Sequence, residues 1–256
     1  MSFAPDSRMV DEVHASPNIE PRRHDMRPTI LLLHYTGLVN CARAVDWLAR
    51  PESKVSCHYV IDQDGRVIQM VPEDMRAWHA GLSSWAGETD INSASIGIEI
   101  HNPGHDLGYP EFPGAQMDAV IALSRDIIVR HGIRPERVLA HSDVAPVRKM
   151  DPGEKFDWAG LARAGVGHWI EPAPVDPCDC GVGRGDHGDL ISRAQEIFKR
   201  YGYDIEPTGE FDEKTEFVVR AFQRHFRPAR VDGRIDQSTL ITLERLIASL
   251  PGAVVA

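Results

Sequence analysis

The sequence is short of several things, and each shortage excludes a class of protein. Four cysteines in 256 residues are too few and too scattered for a disulfide framework. Two of them stand in Cys178-Asp-Cys180, but a lone pair with no second pair is poor evidence for a zinc site, and a disulfide between such near neighbours is strained. Cys41 and Cys57 sit in apolar surroundings and are expected to be small buried side chains. No stretch approaches the ~20 apolar residues of a membrane span. Basic residues are outnumbered 28 to 38, for a net charge of −10, which argues against nucleic acid or an anionic membrane surface as the main partner. The opening residues, Met1-Ser-Phe-Ala-Pro-Asp-Ser-Arg8, lack a charged-then-apolar leader pattern. Taken as it stands, the chain is expected in the cytoplasm, with a periplasmic or cell-envelope location left open, and as a monomer.

What is present is concentrated in a few places. His141-Ser-Asp-Val-Ala-Pro-Val-Arg-Lys-Met-Asp151-Pro-Gly sets an imidazole and a carboxylate ten positions apart, just after Arg148 and Lys149. Imidazole nitrogen and carboxylate oxygen suit a borderline divalent metal such as zinc. A third candidate is His34, where the apolar run Ile30–Leu33 ends abruptly in a histidine. Three protein ligands with one open position is the pattern of a catalytic zinc.

The length and 42% hydrophobic content allow two domains with a real core. Residues 1–28 read as an extended polar arm. Ile30–Leu33 suits a strand buried on both faces, and Ala42–Ala49 has helical spacing closed by Pro51. Tyr59–Ile61 and Val67–Val71 flank Asp62-Gln-Asp-Gly65, a hairpin signal. Ser95–Ile100 alternates, with three isoleucines on one face and Ser95, Gly97 and Glu99 on the other. Gln116–His131 is a helix with Gly132 at its cap, and Val138–Ala140 is a strand ending in His141. Strands alternating with helices predict an α/β domain over residues 1–170 with a mixed central sheet, its histidines at the carboxyl ends of strands, where such sheets build sites.

Residues 171–185, rich in proline and glycine, predict a linker. Beyond it, Gly209-Glu-Phe-Asp-Glu-Lys-Thr215 recurs as Gly233-Arg-Ile-Asp-Gln-Ser-Thr239, and each aspartate can cap a following helix. With a preceding helix, Leu190–Tyr201, whose expected apolar edge is Leu190, Ala194, Ile197 and Tyr201, residues 186–250 predict a small, independently folding three-helix domain. A chain ending near Ile170 is therefore expected to fold without it.

Six pieces in order, Ser16-Pro-Asn18, Leu33-His-Tyr-Thr-Gly37, Ser56-Cys-His-Tyr-Val60, Ala77-Trp-His-Ala-Gly81, Ser95-Ile-Gly-Ile-Glu-Ile100 and the 141–153 stretch, resemble the zinc-dependent N-acetylmuramoyl-L-alanine amidases of the AmpD and AmiD type. Their fold is shared with peptidoglycan-recognition proteins. The last 70 residues are similar to a peptidoglycan-binding three-helix domain, through Gly202-Tyr203, Ala221-Phe-Gln223 and Val231-Asp-Gly233. The resemblance implies Zn²⁺ on His34, His141 and Asp151, Glu99 as the catalytic acid–base group, and peptidoglycan or released muropeptides as substrate. Lys149, two residues before Asp151, is expected to stabilise the oxyanion. Tyr35, Trp78, His79 and Arg148 are the expected substrate-binding residues, Trp78 packing on sugar or peptide and Arg148 supplying positive charge. His58 and Asp143 are expected to act within the fold, Asp143 by orienting a ligand. Two other readings stay open, a metal-free recognition module and a zinc peptidase acting on another amide. The intact His34, His141, Asp151 and Glu99 oppose the first, and the Trp78-His79 and C-terminal pieces oppose the second.

Overall fold

The computed structural model describes residues 3–250. In chain order the first part holds β1 (Glu12–Val13), β2 (Ile19–Pro21), β3 (Ile30–Tyr35), α1 (Cys41–Leu48), β4 (Tyr59–Ile61), β5 (Val67–Gln69) and β6 (Met75–Ala77). There follow α2 (Ile91–Ala94), β7 (Ser95–Ile100), α3 (Gly114–His131), β8 (Val138–Ala140), α4 (His141–Val144) and α5 (Trp158–Arg163). The last three helices are α6 (Asp189–Tyr201), α7 (Glu213–Phe226) and α8 (Gln237–Ala248).

Six strands form one sheet in the order β1-β5-β4-β7-β3-β8. Its centre is parallel, with β3 between β7 and β8, while β5 returns antiparallel to β4, so the sheet is mixed as expected. Successive side chains of a strand point to opposite faces. Leu31, Leu33, Ile96, Ile98 and Ile100 therefore fall on one face, where Val120, Leu123 and Ile127 of α3 and Leu161 of α5 cover them. Ile30 and Leu32 take the other face, and the same alternation puts His34 and Glu99 there too, opposite each other in the β3–β7 register. Part of that face is covered by Cys41, Val45 and Leu48 of α1, packed on Val60 and Ile68. Asn40 starts α1 by accepting a hydrogen bond from the Arg43 N–H, and α3 ends at Gly132 with φ of 65°, the left-handed conformation glycine tolerates.

The arm is not a free extension. β1 pairs with β5 and β2 with β6, Ser16 Oγ donates to Leu48 O at 2.5 Å, and Asn18 Nδ2 donates to Arg50 O and Val55 O. Backbone left unpaired by a short sheet edge is satisfied this way.

In the C-terminal segment the repeated aspartates do cap: Asp212 accepts from the Thr215 N–H and Asp236 from the Thr239 N–H. The buried face of α6 is one residue off the expected one, with Ile191, Ala194, Phe198 and Tyr201 inside and Leu190 45% exposed. The reason lies outside the helix. Its core is shared with the sheet: Ile30, Leu32, Trp85 and Leu139 form one cluster with Phe198, Phe222 and Phe226. Trp85, 1% exposed, meets Tyr201 and Tyr203 edge-on with ring centroids 5.8 and 4.9 Å away. The proline-rich stretch is likewise pinned rather than loose. Ala173 N donates to Thr242 Oγ1, Ser238 Oγ donates to Ala173 O, and Val182 bridges to Ile235. No helix among the described residues is long and apolar enough to cross a membrane.

Candidate metal centre

Three elements deliver the three expected ligands to one point. His34 comes from β3, His141 opens α4 directly after β8, and Asp151 lies on the following loop, whose Asp151 carbonyl accepts from the Ser142 N–H at 3.0 Å. His34 Nδ1 lies 2.8 Å from His141 Nδ1 and 3.2 Å from Asp151 Oδ2, and His141 Nδ1 lies 3.0 Å from the same oxygen. Among the described residues this is the group of three or more His, Cys, Asp or Glu side chains able to hold a metal ion, and all three are buried.

The far sides of the imidazoles fix which nitrogen faces the cluster. His141 Nε2 is 3.1 Å from Ala80 O, so that nitrogen carries the proton and Nδ1 presents its lone pair inward. His34 Nε2 is 3.0 Å from His79 Nδ1, His79 Nε2 is 3.3 Å from Ser95 Oγ, and Ser95 Oγ donates to Ile91 O at 2.5 Å. A carbonyl can only accept, so the chain is directed: Ser95 gives to Ile91, His79 to Ser95, and His34 to His79. His34 Nδ1 is left as a lone pair facing His141 and Asp151. Burial, and then the neighbouring His141, lower the His34 pKa to about 4, which keeps the imidazole neutral. Burial alone would raise Asp151, yet protons taken up by His141 and His34 in acid hold it far below the usual carboxylate range. Two neutral imidazoles and one carboxylate with converging lone pairs are a zinc-type donor set.

Glu99 stands beside His34. Burial, then the charge of Asp151, push its carboxyl well above the ordinary value, with Lys149 opposing them. Its Oε2 is buried without a hydrogen-bond partner. A carboxylate that does not settle into an ion pair and whose pKa is drawn upward is suited to proton transfer.

The cluster opens on a groove of about 420 Å³, lined among others by Tyr35, Trp47, Trp78, Glu99, Arg148 and Lys149. Tyr35 and Trp78 thus wall the groove beside the cluster. His79 also reaches the groove, but its hydrogen bonds back His34. Arg148 turns its guanidinium to protein carbonyls, donating from Nη2 to Ala80 O and from Nε to Leu82 O, each at 3.1 Å; it secures the loop whose Ala80 carbonyl orients His141. His58 sits inside the fold, its Nδ1 accepting from the Gly97 N–H at 3.0 Å.

Several contributors carry no sequence signal. Asn92 Oδ1 accepts from both His79 N and Ala80 N, locking the Trp78-His79-Ala80 turn. His105 hydrogen-bonds Tyr35 OH and Glu154 at the groove rim. Cys178 and Cys180 are free and exposed, Cys41 and Cys57 free and buried.

Comparison with known proteins identifies relatives along most of the chain. The sequence model of the N-acetylmuramoyl-L-alanine amidase family matches residues 24–154, and that of a peptidoglycan binding domain matches residues 187–243. The chain is 38% identical over 234 residues to N-acetylmuramoyl-L-alanine amidase AmiD of Escherichia coli, covering 86% of this chain and 83% of that one. The solved structure of E. coli AmiD in complex with the substrate anhydro-N-acetylmuramic acid-L-Ala-D-gamma-Glu-L-Lys is similar, with a TM-score of 0.73 and 35% identity over 90% of this chain and 92% of that one. AmpDh3 from Pseudomonas aeruginosa matches with a TM-score of 0.75 and 31% identity, over 91% and 96% of the two chains.

Proposed function

The chain belongs to the N-acetylmuramoyl-L-alanine amidase family and hydrolyses the amide between N-acetylmuramic acid and L-alanine; from that premise we propose that it does so with zinc held by His34, His141 and Asp151. The observation that carries the assignment is the convergence of two imidazole lone pairs and one carboxylate oxygen within 3.2 Å of one another. Bound there, zinc supplies Lewis acidity, polarising a carbonyl and making a water nucleophile available near neutral pH, its pKa falling to about 7.

The rest belongs to the chain's own side chains. Glu99, unpartnered and facing the groove, accepts the proton of the attacking water and returns it to the departing amine of L-alanine. Lys149 places an ammonium where the carbonyl oxygen gains charge. Tyr35 and Trp78 wall the groove, and the peptide and sugar pack against their rings. His79 and Arg148 act at one remove, by fixing His34 and the Ala80 loop. Residues 186–250 contact peptidoglycan and bring the site to the wall.

The test is product analysis by mass spectrometry on purified peptidoglycan and on a muropeptide. Peptides beginning at L-alanine, with N-acetylmuramic acid keeping its lactyl group, are expected. Cleavage at any other amide overturns the substrate assignment. Activity that survives rigorous removal of metal overturns the zinc assignment.

A further inference from the structure

Asp143 lies in α4, two residues after His141, and its side chain is fully buried. A carboxyl group in such a place needs hydrogen-bond partners for its oxygens. It has three. The Ala140 N–H donates to Oδ2 at 2.8 Å, from within the turn that starts α4. The other two come from far along the chain: Tyr203 OH donates to Oδ1 at 2.7 Å, and His225 Nδ1–H donates to Oδ2 at 2.6 Å. Both residues belong to the C-terminal segment.

The donors are themselves held rigidly. The His225 ring lies between Trp158 and Phe226, with centroids 3.7 and 3.8 Å away and interplanar angles of 23° and 7°. Tyr203 packs edge-on against Trp85 and Phe198. The acceptor side is equally tied to the site. Residues 140–143 form the turn that aims His141, the Ser142 N–H holds the Asp151 carbonyl, and Ser84 N donates to Val144 O at 2.9 Å.

We propose that Asp143 is a clamp by which Tyr203 and His225 of the C-terminal segment position the metal ligand His141, so that this segment is part of the metal centre and not only a device for reaching the wall. The proposal rests on the reading of His34, His141 and Asp151 as metal ligands. Removing either donor leaves a buried carboxylate oxygen short of a partner. The turn then relaxes at the residue next to Ala140, and His141 leaves the geometry that lets its Nδ1 converge with His34 Nδ1. Partners that orient metal ligands are typically worth about 10–100-fold in metal affinity.

The experiment measures zinc affinity by competition with a chelator, and Tm of the metal-free protein, on full-length chains. Tyr203→Phe and His225→Ala remove one donor each. His225→Asn keeps an N–H near the position of Nδ1. Phe222→Leu loosens the same helical core without touching Asp143. We expect Tyr203→Phe and His225→Ala to weaken zinc binding about tenfold or more, His225→Asn to recover most of that loss, and Phe222→Leu to stay within about threefold at a comparable fall in Tm. Unchanged zinc affinity in Tyr203→Phe and His225→Ala overturns the clamp, as does an equal loss in Phe222→Leu. Tyr203→Phe removes a single oxygen and decides the matter if His225→Ala does not fold. A wild-type chain that binds no zinc refutes the metal-site reading instead, which separates the two failures.

Discussion

His34 and Glu99 are register partners on adjacent parallel strands, side by side on the same face of the sheet. The pairing puts the proposed metal ligand and the proposed proton carrier at neighbouring positions with no loop between them, and it sets a conflict between stability and chemistry. A carboxyl whose pKa is raised by folding binds its proton more tightly in the folded state. It therefore costs nothing below its unfolded value of 4.5 and destabilises progressively as pH rises above that.

Glu99→Gln should consequently show two opposite effects. Turnover on a soluble muropeptide should fall about 10²–10⁴-fold, the usual worth of general acid–base catalysis, while zinc content stays near one per chain. The metal-free variant should melt above the wild type at pH 8, and the two should converge near pH 4. A turnover within about threefold of wild type would make Glu99 an ordinary strand residue.

Gly97 reports on the chain of histidines behind His34. A Cβ at this position would come within 2.5 Å of His79 Nδ1, the atom that receives the His34 Nε2–H. Gly97→Ala should push the His79 ring away and free the His34 tautomer, although residue 97 touches no ligand. Zinc affinity should drop about tenfold, with a smaller drop for Ser95→Ala, which removes the end of the chain. Affinity unchanged in both, measured by chelator competition, would show that His34 needs no such support.

How much of this was legible in the sequence follows from the range of each interaction. Period-two alternation in Ser95–Ile100 placed Glu99 opposite the apolar face, and the abrupt end of Ile30–Leu33 marked His34, because both signals are local. The aspartate caps at residues 212 and 236 were local as well. The inward direction of each imidazole was not, since it depends on Ala80 O and on His79, which reach the site through the register of the fold. The orientation of Arg148 was missed for a similar reason: a basic residue beside a site reads as a substrate contact, and nothing nearby shows that the Ala80 and Leu82 carbonyls claim it. For residues 171–185 the local signal speaks to conformation alone. Proline and glycine signal absence of regular structure, not absence of contacts, and Trp85 carries no pattern that announces a distant tyrosine pair.

Glu73 gives a prediction about acid stability, away from the chemistry. Its side chain is almost fully buried. Burial would raise its pKa, but hydrogen bonds from Arg130, His131 and Tyr59 bring it down to about 2. A depressed carboxyl stabilises the fold above its unfolded value of 4.5, and the contribution is lost as pH falls toward about 2. Glu73→Gln should therefore cost about 3 kcal/mol at pH 7, read by urea denaturation, and progressively less below pH 4.5. A gap that does not narrow with acid would mean that packing, not charge, is what the substitution disturbs.

Truncation after Ile170 is the sharpest test of how the chain is divided. The sequence alone led to the expectation that residues 1–170 fold and hold zinc by themselves. The buried cluster that the sheet shares with the C-terminal helices predicts a different outcome. Ile30 and Leu32 of the central strand are fully buried, and Trp85 and Leu139 nearly so, in one cluster with α6 and α7. Uncovering these side chains costs about 1.5–3 kcal/mol each, against a total stability on the order of 5–15 kcal/mol. The same cut removes Tyr203 and His225 from the buried Asp143. We expect the shortened chain to be largely insoluble, or to run as an aggregate on gel filtration, with well under one zinc per chain and little turnover of a soluble muropeptide. Appending residues 171–256 as a separate polypeptide should restore part of both, because the two surfaces are complementary without the covalent link. A monomeric shortened chain with full zinc and full turnover would show that the helices add reach and nothing more.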